Sequence, residues 1–333
     1  MTKTNAILLA LLLSMLSAVS GCSKKEYYEE NGIIFHTYFK IKYEADRSLR
    51  EKIDSELEKF SLSLNPFHPN SVISKVNRNE DVNVDAWFAR VFEKAAEVSQ
   101  KTDGYFDITC APLVNLWGFG FSRMDSVTPA MVDSIREFVG YDKVRLAGKK
   151  VVKDDPRILL NCSAIAKGFA SDVIAEMLES EGVENYMVNI GGEIMMKGKN
   201  NKGNDWEIGI SKPVDDSTGG DEEMEKIIRL SRKGAIATSG DYRNFYIKDG
   251  KKYAHTINPH TGYPAEQKIL SATVVADDCI TADAYATAFM AMGLDSARRI
   301  GASIPGIDYF LIYAGENGSH LYECSNGMLQ YFK

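Results

Sequence analysis

Leu159-Leu160-Asn161-Cys162-Ser163-Ala164-Ile165-Ala166-Lys167-Gly168-Phe169-Ala170-Ser171-Asp172 is the stretch on which the reading of this chain turns. Its apolar opening predicts a buried strand, and Ser163 predicts the N-cap of a helix that follows at once. Lys167 and Gly168 then fall in the first turns, where unpaired N–H groups and the positive helix end attract anions. A strand, a small-residue turn and an early lysine suit a phosphate-bearing ligand. An ordinary strand–helix junction with an exposed lysine has the same sequence signature. No glycine-rich run precedes the lysine, so this is not a Walker-type loop.

Outward from this stretch the chain divides in character. Before it, strands are expected at Ile33–Tyr43, Val144–Leu146, Val151–Lys153 and Ile158–Asn161. Helices are expected at Asp46–Leu62, with Leu49, Ile53, Leu57 and Phe60 at helical spacing, after a cap at Asp85, and from Thr128-Pro129 to Gly140. Ser63–Asn79 reads as a loop rich in Pro, Asn and Ser. After the opening helix, strands dominate: Tyr186–Lys197, Trp206–Ser211, Lys226–Ser231, Asn244–Lys248, Tyr253–Ile257, Leu270–Ala276, Ile307–Tyr313, His320–Glu323 and Met328–Tyr331. Two late helices run from near Thr281 to Met292 and over Asp295–Ala302. Long strand runs with a few packed helices predict an α+β fold, not a doubly wound parallel sheet.

The N-terminus carries its own signal. Lys3 precedes an apolar run, Ala6–Leu16, that is too short to anchor in a bilayer as a helix, and Val19-Ser20-Gly21-Cys22 resembles a bacterial lipobox. That resemblance implies a signal peptide over 1–21, lipid attachment at Cys22, a polar tether over 22–31 and a functional domain over 32–333. The chain is then expected to be exported and lipid-anchored to a membrane, facing the periplasm or cell exterior. A plain secretory signal with a chance cysteine is the alternative. The net charge is −7, and no basic stripe or zinc-ligand spacing points to nucleic acid. Cys110, Cys162, Cys279 and Cys324 allow three pairings, but Cys162 and Cys279 lie in apolar element starts and read best as free thiols.

Four further runs have the residue types of a site. Tyr105-Phe106-Asp107-Ile108-Thr109 with Leu116-Trp117-Gly118-Phe119-Gly120 suits a flat ligand on a loop, or a hydrophobic loop under the core. Asn189-Ile190-Gly191-Gly192-Glu193 ends a strand in two glycines, where a turn or close ligand approach is possible. Ala237-Thr238-Ser239-Gly240 and His255-Thr256-Ile257-Asn258-Pro259-His260-Thr261-Gly262 supply hydroxyls and a titratable group; His255 is a candidate base or a structural histidine. In Thr281–Ala288, Asp283 and Thr287 lie one helical turn apart, so their oxygens share a face that could ligate Mg²⁺ or simply cap and back-bond the helix.

Taken together and in order, seven of these elements resemble the ApbE family of FAD:protein FMN transferases: Phe106–Thr109, Leu116–Gly120, Ser163–Gly168, Asn189–Gly192, Ala237–Gly240, His255–Gly262 and Thr281–Ala288. The resemblance spans about Ile33 to Met328. It implies an ApbE-like, two-lobed fold with FAD as substrate in a cleft. It further implies Mg²⁺ held by Asp283, Thr287 and the Ala164 carbonyl, with Asp283 and His255 as the catalytic residues and His255 assisting deprotonation of the attacking threonine. Lys167, Tyr105, Phe106, Asp107 and Asn161 would contact FAD, with Phe67 stacking on the flavin and Phe35 and Ile257 adding apolar contacts. The implied reaction moves FMN to a threonine of an exported protein and releases AMP. The resemblance suggests acceptors that are subunits of the RNF or Na⁺-pumping quinone oxidoreductase type, and the chain lacks the Asp-x-x-(Ser/Thr)-Gly-Ala-Thr acceptor pattern, so it would modify other proteins and not itself.

The chain departs from the family pattern at five places. Asn161 stands where an aspartate is usual, Cys162 replaces a leucine, Asn258 replaces an aspartate, Phe35-His36 replaces a Met-Gly pair, and Phe67 stands where tyrosine is frequent, keeping the stacking surface without the hydroxyl. Two rival functions share the same residues. A metal-dependent FAD pyrophosphatase would use water as nucleophile, and a non-catalytic flavin-binding lipoprotein would bind without turnover.

Overall fold

The structure is a computed structural model that describes residues 24–120, 126–213, 224–240, 245–248, 251–265, 268–316 and 319–333. The expected signal peptide, Cys22, the Asp241-Tyr242 pair that follows the Ala237–Gly240 run and most of the acidic segment near Asp215–Glu225 lie outside the described residues.

In chain order the elements are β1 (Glu26–Ile34), β2 (Thr37–Ala45), α1 (Arg50–Leu64), α2 (Val72–Asn77), α3 (Ala86–Lys101), α4 (Ala111–Leu116), α5 (Pro129–Arg136), β3 (Val144–Ala147), β4 (Lys150–Lys153) and α6 (Ala166–Ser180). There follow β5 (Tyr186–Ile190), β6 (Glu193–Lys197), β7 (Trp206–Ser211), β8 (Met224–Leu230), β9 (Gly234–Gly240), β10 (Phe245–Lys248) and β11 (Lys251–Ala254). The last are β12 (Ile269–Ala276), α7 (Cys279–Met292), α8 (Leu294–Gly301), β13 (Ile307–Ala314) and β14 (His320–Cys324). The expected α+β class holds, with mixed helices and antiparallel sheets. One eight-stranded sheet, ordered β1-β2-β5-β6-β9-β12-β13-β14, is antiparallel throughout.

Helices and a hairpin cover the two faces of this sheet. The main core lies against α1, α3, α6 and α7 and contains Ile41, Phe60, Phe88, Phe169, Val188, Val274 and Phe289. A second core fills the other face, where Trp206, Ile228, Ile312 and Met328 pack under the β7–β8 hairpin. A third, smaller cluster gathers Leu113, Trp117, Val132 and Ile257 around α4 and α5. Helix α7 is alanine-rich and almost wholly buried, as expected of a helix that is apolar on every side.

Several sequence expectations are corrected. The single strand expected at Ile33–Tyr43 is a hairpin of β1 and β2, turned at Phe35 and His36 with φ of 52° and 59°. Two left-handed residues are what a two-residue hairpin loop needs, but they are normally Asn or Gly, so the sequence hid the turn. Residues 26–31, read as tether, pair in β1 for the same reason. Tyr186–Lys197 likewise splits at Gly191-Gly192 into β5 and β6. Two helices were missed: α2 lies inside the Pro/Asn loop, capped by Ser71 Oγ on the Ser74 N–H, and α4 lies inside the aromatic run. Met328–Tyr331 belongs to a 3₁₀ turn, not a strand.

Candidate active site between two helices

The Ile158–Asn161 segment is not a strand. Leu159–Cys162 runs extended without a ladder, because the Asn77 amide takes the place of a partner strand: it accepts from Leu160 N at 2.8 Å and donates to Leu160 O at 2.9 Å. Asn161 N donates to Ile108 O at 2.8 Å, and its side-chain oxygen accepts from Ser163 N at 2.8 Å, so Asn161 shapes the turn before the helix. Ser163 is therefore not the N-cap. Helix α6 starts at Ala166, its N-cap position is Ile165, and no side chain there caps it.

The cap comes from another helix. Asp283 Oδ2 on α7 accepts the Gly168 N–H at 2.9 Å, and Asp172 on α6 accepts the Cys279 and Ile280 N–H groups at 2.8 Å each. Each helix thus satisfies orphan donors at the other's start, the role that an N-cap side chain usually plays within one helix. The close contact demands Gly168, since a Cβ there would lie 2.3 Å from the Cys279 carbonyl oxygen and 2.7 Å from Asp283 Cβ.

Charge collects at this junction. Lys167 Nζ meets Glu193 Oε1 at 2.5 Å, and Glu193 and Asp283 are both buried. Burial pulls Lys167 down, yet Glu193 and Asp283 together hold its ammonium above the usual lysine range. Burial pushes the carboxyls of Glu193 and Asp283 up, and Lys167 limits both rises. Burial also pushes Asp172 up to about 7, against the two N–H bonds that favour its charged form.

Oxygen donors surround the same point. Thr287 Oγ1 lies 3.5 Å from the Ala164 carbonyl oxygen and 3.2 Å from Ser239 Oγ, one turn of α7 beyond Asp283. A carboxylate, a hydroxyl and a carbonyl form a hard donor set suited to Mg²⁺, which takes few protein ligands and fills its shell with water and phosphate oxygens. Among the described residues no group of three or more His, Cys, Asp or Glu side chains could hold a metal by itself. The structure therefore brings together Ala164, Lys167, Asp283 and Thr287 from the sequence reading.

The remaining predicted residues are spread more widely. Phe35 packs its ring on Phe60 at 5.3 Å, and Phe67 is 52% exposed, meeting His36 edge-on at 5.2 Å. Tyr105 meets His260 edge-on at 4.5 Å. Phe106 is a core residue, so its ring faces the main core and any ligand contact there falls to its backbone. Asp107 Oδ1 accepts from Thr109 N and Thr109 Oγ1, both at 2.7 Å, and burial pushes its carboxyl up to about 6 despite those bonds. Thr109 Oγ1 in turn accepts the Gly140 N–H, so this network ties the aromatic run to the segment that follows α5. Ile257 sits in the third core cluster, and His255, at the end of β11, faces Phe119 edge-on at 6.4 Å between ring centres.

Two residues of the junction went unassigned in the sequence reading. Glu193 had a visible signal, an acid directly after two glycines and before the apolar Ile194-Met195-Met196, and Asp172 had another, an acid among buried helix positions.

Comparison with known proteins bears on the same residues. The ApbE family profile matches residues 35–311. The FAD:protein FMN transferase of Haemophilus influenzae is 35% identical over 326 residues, covering 92% of this chain and 93% of that protein. The FAD:protein FMN transferase of Escherichia coli is 32% identical over 268 residues, covering 77% of this chain and 75% of that protein. Among solved structures, the flavin transferase ApbE of Vibrio cholerae superposes with a TM-score of 0.83 at 34% identity, over 92% of this chain and 99% of that one. The flavinyl transferase ApbE of Pseudomonas stutzeri in its apo form superposes with a TM-score of 0.81 at 25% identity, over 93% of this chain and 98% of that one.

Proposed function

The chain belongs to the ApbE family, and on that premise we propose that it is an FAD:protein FMN transferase that moves FMN from FAD to a threonine hydroxyl of exported proteins and releases AMP. One observation supports this reading above the others: Lys167, Asp283, Thr287 and the Ala164 carbonyl converge where α6 begins and α7 runs past it.

In this reading the pyrophosphate of FAD lies at the start of α6, bonded by Lys167 and favoured by the helix dipole. Asp283, Thr287 and the Ala164 carbonyl would hold Mg²⁺, which when bound supplies charge neutralisation to the pyrophosphate. Phe67 offers an exposed ring for the flavin to stack on. The threonine oxygen attacks the FMN-side phosphorus, the bridging P–O bond breaks, and AMP leaves with the bridging oxygen. His255 takes the hydroxyl proton. The N-terminal 21 residues are a lipoprotein signal in this reading, Cys22 takes the lipid, and acceptors are subunits of the RNF or Na⁺-pumping quinone oxidoreductase type.

Incubating the full chain with FAD, Mg²⁺ and an acceptor domain should yield a fluorescent flavin–protein adduct that survives denaturation, with one AMP released per flavin transferred. Free FMN and AMP without any adduct would overturn the proposal in favour of hydrolysis.

A further inference from the structure

Lysine is a poor locator of charge on its own, since its four-carbon stem is flexible and its ammonium is a point charge. Lys167 is restrained at three places. Its Nζ meets Glu193 Oε1 at 2.5 Å. Its stem runs past Gly191, where even a Cβ would approach Lys167 Cδ to 3.2 Å. Its backbone is set in the first turn of α6 by the Asp283 bond to the next residue.

Glu193 is itself held by its surroundings. It opens β6 directly after Gly191 and Gly192, whose φ values of 68° and 106° make the turn, and it pairs with Ile190 across that turn. Its carbonyl accepts from Ser171 Oγ at 2.9 Å, and Ser171 lies one turn beyond Lys167 on α6. Its side chain is 3% exposed, against 32% for Lys167. Glu193 Oε2 is buried with no hydrogen-bond partner among the described residues, a state that destabilises a folded protein and calls for a reason.

We propose that Glu193 is a positioning residue that fixes the Lys167 ammonium for the pyrophosphate of FAD, an inference that rests on the proposed reading of this site. One N–H of the ammonium is engaged by Glu193, and two are left for phosphate oxygens. The acid lies in the wall and the lysine reaches the opening, so the pair presents a cation whose position does not have to be fixed again on binding. Glu193 acts through Lys167 and touches neither phosphate nor flavin.

The experiment titrates FAD and riboflavin, which lacks phosphate, into the full chain and follows flavin fluorescence. Glu193→Gln should weaken FAD about tenfold, the scale of one well-placed charge-assisted hydrogen bond, and leave riboflavin unchanged. In a double-mutant cycle, adding Glu193→Gln to Lys167→Met should weaken FAD no further. Losses that add, equal losses for riboflavin, or unchanged FAD affinity in Glu193→Gln would each overturn the positioning role. If Glu193→Gln does not fold, Glu193→Asp keeps the charge but shortens the reach, and it must show the same selective loss. A wild-type chain that binds FAD no more tightly than riboflavin would instead sink the reading of the site itself.

Discussion

The junction of α6 and α7 and the loops that hold Phe67 and His255 are built on opposite principles. At the junction, Asp172, Glu193 and Asp283 are buried and every one has a fixed partner on another element. Around it, Phe67 is half-exposed on the loop before α2, Tyr105 follows α3 on a turn, and His255 stands where β11 ends. The helical part is preorganised for a small, charged, unvarying group. In the proposed reading the loop part offers ring surfaces to a larger flat group and to the protein chain that must approach it. In that reading, recognition of charge and recognition of shape fall to these two different parts of the molecule.

Substitutions at the junction and on the loops should therefore fail in different ways. Asp283→Ala should have the largest effect, lowering transfer by about a thousandfold or more, because it removes a metal ligand in the proposed reading. It should also lower the melting temperature, since the Gly168 N–H loses its cap, with a stability loss of about 1 kcal/mol by denaturant titration. His255→Ala should come next, with transfer down about a hundredfold and the dissociation constant for FAD unchanged in a fluorescence titration. A loss of FAD binding in that variant would move His255 from proton acceptor to ligand contact.

Asp172→Asn should act on stability before activity. Its carboxyl is held at about 7 in the folded chain, above its unfolded value, so its contribution is full below the unfolded value and is lost as pH rises through about 7. Melting curves from pH 4 to 8 should show wild type losing more stability with rising pH than Asp172→Asn does. Parallel curves would remove this group from the pH response. Phe67→Ala should have the smallest effect, raising the KM for FAD about tenfold while leaving the melting temperature in place, because the ring is 52% exposed. A large drop in melting temperature there would mean that the loop is part of the core after all.

How much of this was legible without coordinates follows the kind of force involved. The helices α1 and α3 could be read from apolar spacing, and Asp85 accepts an N–H in the first turn of α3. Asp283 and Thr287 could be paired because helical spacing alone puts them on one face. The Ile158–Asn161 segment was misread because an apolar run looks the same whether a strand or the Asn77 side chain satisfies its backbone. The cap of α6 was misplaced onto Ser163 because the true acceptor lies 115 positions away on α7, and no local pattern encodes a partner at that distance. Phe35-His36 hid a turn because the pair is not one of the Asn/Gly dipeptides that mark such turns, and phenylalanine in particular seldom takes the left-handed conformation that both adopt.

The exchange of caps between α6 and α7 has a kinetic consequence. Neither helix can fray from its N-terminus without stripping hydrogen bonds from the other, so the amides of Gly168, Cys279 and Ile280 should exchange with deuterium at one shared, slow rate. Protection of all three at once would mark the junction as a single cooperative unit, one that opens only when most of the main core opens with it.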